Sequence, residues 1–495
     1  MSDLLRMGGQ RSLSVTVRGV LRRAVEVYRD QPQTAQWLRQ QLDRLDEPLR
    51  VAIAGKVKAG KSTLLNALVG EQIAPTDAGE CTRVVTWYCD GPSPKVVMHP
   101  KQGLPSPLPV NRQDGALTID LQGTPAETLD RLVVHWPSQS LRTATLIDTP
   151  GIASMSTETA QRTLTFLTPE DDAPAEADAV IYLMRHLHAT DAAFLESFWD
   201  QGMGRATSVN TIAVLSRADE IGGGRVDAMF SAKTIAQRYR KDPTLRGLCQ
   251  GVVPVAGLLA QTGRTLRQAE FDALAALSRA PRDEVDAALL SADRFLRADS
   301  ETRNRLLDRF GLFGLRLSVT LIRQGTAGTP GALAEELVRR SGLDELRAVL
   351  STQFTERRDL LKARSALVAL DSVLHGQPHA GVEPLLGDVE RILAGAHEFA
   401  ELRLLSALRA GAITLPKAEL EEAQRLLGGS GGAPEVRLGQ PAGSGPDELR
   451  QVALETLVRW HRRAENPLSG RATADACRVV VRSCEGMVAR LTSDS

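Results

Sequence analysis

The run Gly55-Lys56-Val57-Lys58-Ala59-Gly60-Lys61-Ser62 has the spacing GxxxxGKS and stands between an apolar stretch, Val51-Ala52-Ile53-Ala54, and a helix former, Thr63-Leu64-Leu65-Asn66-Ala67-Leu68. Glycines at these positions let backbone N–H groups approach a di- or triphosphate. Lys61 then reaches the β- and γ-phosphates, and Ser62 at a helix N-terminus is a ligand for Mg2+. Gly55, Lys58, Ala59, Gly60, Lys61, Ser62 and Thr63 are therefore the expected phosphate-binding set. A strand before and a helix after are the context that separates such a loop from a chance match.

Four further stretches follow in an order that selects the base and completes the metal site. Asp148-Thr149-Pro150-Gly151 ends an apolar run: Asp148 is placed to hold Mg2+ through water, and the Gly151 N–H to sense the γ-phosphate. Thr82 lies in a turn-rich loop entering a strand, where a switch threonine closes over the same metal; Thr76 in that loop competes for the role. Ser216-Arg217-Ala218-Asp219 follows the apolar run Thr211 to Leu215. Asp219 can accept from guanine N1–H and from its exocyclic amine, whereas adenine offers an acceptor at N1 and would leave the carboxylate unpaired. The competing reading of Asp219 is a loop carboxylate that caps the next helix. Val255-Ala256-Gly257 supplies a backbone N–H for guanine O6, and Ala256 and Gly257 complete the nucleotide-binding set.

These residues need a sheet to hold them. Between Leu49 and about Gly263, short β-rich runs alternate with helical stretches, which predicts a mostly parallel sheet with helices on both faces. Val84 to Cys89 and Lys95 to Met98 read as a strand pair turned by Gly91-Pro92-Ser93-Pro94, and Leu132 to Trp136 with Ala144 to Ile147 as another. Ala179 to Leu183 and Thr211 to Leu215 are continuous apolar runs, as strands buried on both faces require. Two amphipathic helices fill the first fifty residues and must find cover elsewhere, which points to helices from the far end of the chain. After about Arg264 helices dominate. One is predicted from Gly342 to Leu374, about 50 Å long at 1.5 Å per residue; others from Pro384 to Ala410, Pro416 to Leu427, Asp447 to Arg463 and Ala472 to Leu491. The Gly/Ser/Pro-rich stretch from 428 to 446 reads as a flexible connector.

The 495 residues suffice for two or three domains. Sixty basic residues balance sixty acidic ones, so no global field favours nucleic acid, and none is expected as a partner. Five cysteines without CxxC spacing fit a reducing compartment, with Cys477 and Cys484 as buried thiols in preference to metal ligands. Arginines interrupt the N-terminal stretch and argue against a signal peptide, so the expected location is cytoplasmic. The most apolar helix candidate, Gly311 to Ile322, is too short to span a bilayer and carries Arg316; contact with a membrane would be peripheral, at the inner face of the plasma membrane.

Together the five elements resemble the dynamin-like large GTPases. The run Lys58 to Leu68, with Pro75-Thr76 and Thr82-Arg83, resembles their bacterial branch. Ile73-Ala74-Pro75-Thr76-Asp77-Ala78, Val85-Thr86-Trp87, Ser216 to Ile221 and Val253-Pro254-Val255 are similar to the actinobacterial isoniazid-inducible proteins. The resemblance implies an α/β Ras-like GTPase domain joined to an elongated α-helical bundle built from N-terminal and C-terminal helices. The expected boundaries are 1–47 for the N-terminal helices, 48–264 for the GTPase domain, and 265–495 for the rest of the bundle. It further implies GTP and GDP as ligands with Mg2+, self-association through the GTPase faces, a related dynamin-like protein as a hetero-partner, and membrane remodelling. The 66-residue separation of Thr82 from Asp148 leaves room for added strands.

The sequence also departs from that pattern. Lys58 stands where these loops often carry a small polar residue; its ammonium is either a built-in charge that stabilises the β/γ bridging oxygen or a solvated loop lysine. Ile152 follows Gly151, so no glutamine is there to orient water, and slow intrinsic turnover is expected with Lys61, Thr82, Lys58 and Gly151 as the catalytic set. Arg217 replaces the usual lysine along the guanine face, where a guanidinium stacks well. The alternatives to a membrane mechanoenzyme are a soluble regulatory GTPase acting through a protein partner and an ATP-driven structural protein in which Asp219 is irrelevant.

Overall fold

A computed structural model describes residues 13–75, 83–113, 115–151, 176–197, 210–245, 248–297 and 301–493. Its centre is a nine-stranded sheet ordered β11-β10-β9-β1-β8-β2-β7-β3-β4. The strands are β1 (Leu49–Gly55), β2 (Val85–Asp90), β3 (Lys95–Pro100), β4 (Ser106–Leu108), β7 (Leu129–Trp136), β8 (Ala144–Asp148), β9 (Ala179–Met184), β10 (Thr211–Ser216) and β11 (Val252–Val255); β5 (Asn111–Gln113) and β6 (Ala116–Thr118) form a separate ribbon. The five strands from β11 to β8 run parallel, as their unbroken apolar runs predict, and β9, β10 and β11 are buried along their whole length.

Both expected strand pairs are corrected. β2 does not pair with β3, because β7 lies between them, parallel to β2 and antiparallel to β3. β8 pairs with β1 and β2 instead of β7. A four-residue link can cross two strand spacings, about 10 Å, so its shortness does not force pairing. Gly91 makes the crossing fit: a Cβ there would lie 2.8 Å from Cβ of His135 on β7.

The predicted helix from Gly342 to Leu374 is broken. It is Leu343–Leu350, a wide turn over Ser351–Thr355, then Arg358–Gly376. Leu343, Leu346, Phe354 and Leu361 enter the core under the sheet, whereas Ala363, Leu367, Leu370 and Leu374 pack against Val17, Leu21, Ala24, Tyr28 and Leu38. One apolar stripe serves two cores, and the break re-aims it. The N-terminal helices Leu13–Val27 and Pro32–Arg44 thus find their cover on the C-terminal helices Arg358–Gly376 and Val382–Gly395. Each fully buried leucine there contributes roughly 1.5–3 kcal/mol. Pro384 to Ala410 is likewise two helices, Val382–Gly395 and His397–Ala410, divided at Ala396.

Packing against the sheet continues past residue 264. Helix Glu301–Arg323, bent at Gly311 (φ 61°), buries Phe310, Phe313, Leu315, Leu317 and Leu321 in the same core as β9 and β10. The apolar run considered for a membrane is therefore core. Among the described residues no helix is long and apolar enough to cross a membrane. The connector 428–446 is also pinned: it contains the helix Pro434–Leu438, buries Leu438, and its Gly428 and Gly429 carbonyls accept from Arg357, Gln353 and Arg409. Cys477 and Cys484 are buried thiols in the helical core, both pushed up by burial, Cys484 to about 12.

Candidate functional site

The phosphate loop joins the end of β1 to helix Lys61–Val69, whose N-cap Gly60 is left-handed (φ 94°) and directs the first N–H groups of the helix into the loop. Lys61 Nζ rests on the carbonyls of Gly55 (3.3 Å) and Lys56 (3.5 Å), and its ammonium is held below the usual lysine range by burial. The far end of this helix is capped from outside the expected domain: Arg347 donates to the Leu68 (3.1 Å) and Ala67 (3.3 Å) carbonyls. A cation there complements the helix dipole.

Ser62 Oγ donates to Asp148 Oδ2 at 2.7 Å. The second carboxylate oxygen, Oδ1, is buried with no hydrogen-bond partner among the described residues, and burial raises the carboxyl pKa against the opposing pull of Lys61 and Ser62. An orphaned hard oxygen beside a serine hydroxyl fits Mg2+, which takes one or two protein oxygens and fills its shell from water and phosphate. Thr82, expected to complete that shell, and its competitor Thr76 lie outside the described residues. Gly151 reaches the rim of the loop: a Cβ on it would lie 2.5 Å from Val57 Cγ2, so only glycine fits. Thr149 fixes that approach, with Oγ1 and N both donating to the Ile53 carbonyl (3.0 and 3.3 Å).

A cleft with about 550 Å³ of open space adjoins the cradle. Ala59, Gly60 and Thr63 wall one side, and Ser216, Arg217, Asp219, Val255 and Gly257 the other. Arg217 (φ 51°) turns the chain after β10 into a short helical turn that carries Asp219, whose buried carboxyl is pushed up to about 6, chiefly by desolvation. Arg217 Nη1 donates to Glu220 Oε1 at 2.6 Å on the cleft wall, and Ser216 Oγ donates to the Met184 carbonyl at 3.2 Å. Ala256 is fully buried and its N–H donates to the Ser341 carbonyl at 2.8 Å, and Gly257 is the residue of that pair on the cleft wall. Lys58 is exposed and left-handed (φ 60°) and is not on the cleft wall. Arg185 pairs with Glu220 at 3.4 Å on the surface.

Sequence reasoning missed Asn66 and Asp191. Asn66 is buried and holds two successive residues: Oδ1 accepts from the Ile73 and Ala74 N–H groups, and Nδ2 donates to the Ala74 carbonyl. It anchors the backbone at Ile73 and Ala74, just after helix Lys61–Val69. Its signal was a lone amide inside an apolar helix, which must be satisfied by something. Asp191 had no such signal.

Residues 51–217 match the Dynamin family. Over 496 aligned residues the chain is 45% identical to Isoniazid-induced protein IniC of Mycobacterium tuberculosis, found in two strains, covering 97% of this chain and 99% of that protein. A Bacterial dynamin-like protein of Nostoc punctiforme is 35% identical over 118 residues, 21% of this chain and 16% of that one. Among solved structures, an oligomerised bacterial dynamin pair aligns over 99% of this chain and 77% of its own at 13% identity and a TM-score of 0.33. A relative 45% identical over 97% of the chain, together with the Dynamin family match over residues 51–217, which hold the phosphate loop, leads to one conclusion: the chain belongs to the dynamin-like GTPase family.

Proposed function

We propose that this chain binds GTP and GDP with Mg2+ at the cleft and hydrolyses GTP slowly. The observation that carries the reading is the continuity of one cleft from Gly60 and Thr63 to Asp219, so that a single ligand can set phosphates on the loop and a base on the carboxylate. Asp219 accepts guanine N1–H and the 2-amino group, Gly257 faces O6, and Arg217 lies along the base. Lys61 leaves the two carbonyls for phosphate oxygens. Ser62 and Asp148 hold Mg2+, which supplies charge neutralisation to the phosphates when bound. Gly151 donates its N–H to the γ-phosphate. Calorimetric titration with GDP and ADP, together with phosphate release from GTP, tests this; equal affinity for the two diphosphates refutes the guanine assignment.

The finer reading couples nucleotide-dependent pairing of two heads to movement of the bundle at a membrane surface. What supports it is a polar joint between the two parts. Asp178, at the start of β9, accepts from Arg50 N of β1 (2.9 Å), Arg44 of the second helix (3.3 Å) and Lys362 of helix Arg358–Gly376 (3.4 Å). Arg358 donates to the Asp46 and Glu47 carbonyls just before β1 (2.9 and 2.6 Å). Strand β1, which leads into the phosphate loop, and its neighbour β9 are thus tied directly to bundle helices. Co-sedimentation with liposomes in a GTP analogue, with and without a related dynamin-like protein, tests the membrane part. Pelleting in neither case favours a regulatory GTPase that acts through a protein partner.

A further inference from the structure

Asp191 is only 1% exposed, yet it is not on the wall of the nucleotide cleft. It lies in the first turn of helix Ala189–Ser197 and is satisfied by three donors: Tyr182 Oη to Oδ1 at 2.7 Å, and the His188 N–H (3.0 Å) and Lys56 Nζ (3.1 Å) to Oδ2. The first two bonds are local to β9 and its helix. The third reaches across to the second residue of the phosphate loop, where an exposed side chain would be the ordinary use of a lysine. A buried carboxylate that loses a charged partner leaves an uncompensated charge, so this pair resists separation.

The same limb of the loop is fixed at a second point on β9. Gly55, with φ 149°, lies so close to the Leu183 carbonyl that a Cβ would come within 2.5 Å of its oxygen. Residues 55 and 56 are therefore seated on one strand end, Gly55 by backbone contact and Lys56 by charge. Their two carbonyls are the ones on which Lys61 Nζ rests. The next residue of β9, Met184, accepts the hydrogen bond from Ser216 at the base end of the cleft. One strand end thus sets the phosphate loop and the base loop relative to each other.

We infer that Asp191 is a positioning residue for nucleotide binding, acting through Lys56 to hold the first limb of the phosphate loop in register with the seat of Lys61. Tyr182 supports it, because its hydroxyl holds Oδ1 and keeps the second oxygen aimed at the loop. The inference rests on the reading of the cleft as a guanine-nucleotide site. Lys56 itself touches no phosphate in this account; its side chain points away to Asp191 while its carbonyl serves Lys61.

The test uses the full chain, a fluorescent GDP analogue and GTP turnover, with K56M, K56R, D191N and the double variant K56M/D191N. K56M strips the buried Asp191 carboxylate of its charged partner and should lower the thermal midpoint, so binding is read well below it, whereas K56M/D191N, which removes both charges, should keep more of the parent's midpoint. K56M should weaken GDP and GTP binding alike by about tenfold or more, as misplacement of a loop by a fraction of an ångström does. K56R should restore most of the affinity, and the double variant should be no weaker than K56M alone. Wild-type affinity in K56M, or losses that add in the double variant, overturns the inference. An unmutated chain that binds no guanine nucleotide instead sinks the reading of the cleft, which separates the two failures.

Discussion

The replacement Asp219→Asn gives the sharpest prediction about the base cleft. In the proposed complex the carboxylate accepts two hydrogen bonds from guanine, each charge-assisted and worth about 1.5–3 kcal/mol. An amide offers one acceptor and one donor, and its donor meets the guanine 2-amino group head on. Loss of about 3 kcal/mol corresponds to roughly a 150-fold weaker affinity for GDP. Xanthine carries a 2-oxo group in place of the amine, so the asparagine donor finds an acceptor and the variant should prefer XDP. Asp219 also predicts a pH signature. Burial pushes its carboxyl up to about 6 in the free protein. Guanine binds the ionised form, so affinity is complete above that value and falls as pH drops through it. Between pH 7 and pH 5 the loss is about tenfold, because about nine-tenths of the free protein then carries the proton. Calorimetric titrations of GDP and XDP across pH 5 to 8 check both statements. A variant that keeps its preference for GDP, or a wild-type protein whose GDP affinity is flat down to pH 5, would refute the assignment of Asp219 to the base.

Three further predictions concern the metal, the loop and the joint. Ser62→Ala removes one oxygen from the pair with Asp148 and should weaken GDP binding in Mg2+ by about 1–3 kcal/mol, or 5- to 150-fold, while binding in EDTA changes little. Lys58→Ser should lower GTP turnover in sodium buffer and recover it in potassium if the lysine replaces a monovalent cation; unchanged turnover in both buffers makes Lys58 a solvated loop residue. At the joint, Asp178→Asn leaves Arg44 and Lys362 buried without their carboxylate and should cost about 3–5 kcal/mol in urea denaturation. Lys362→Met should cost less, because Asp178 keeps Arg44 and the Arg50 N–H. The reverse ranking would show that the lysine, through the Arg44 carbonyl, is the more important partner.

Most of the candidate site is read as local pattern. A GxxxxGKS run after an apolar strand, an aspartate ending a second strand and a serine-arginine-alanine-aspartate run ending a third are each read without knowing where the strands lie, because phosphate, metal and base each need a particular residue type at the end of a strand. The sequence by itself also determined that the N-terminal helices need distant cover, since an apolar stripe must be buried somewhere. Periodicity reports that a face is buried and says nothing of what it is buried against. Tertiary structure alone therefore decided that β7 enters between β2 and β3, that the stripe from Leu343 to Leu374 divides between two cores, and that the Ser341 carbonyl takes the Ala256 N–H. It also decided the partner of Lys56. A lysine and an aspartate 135 residues apart carry no mark of each other, and only the parallel pairing of β1 with β9 brings the two strand ends together and buries the carboxylate that the ammonium must balance.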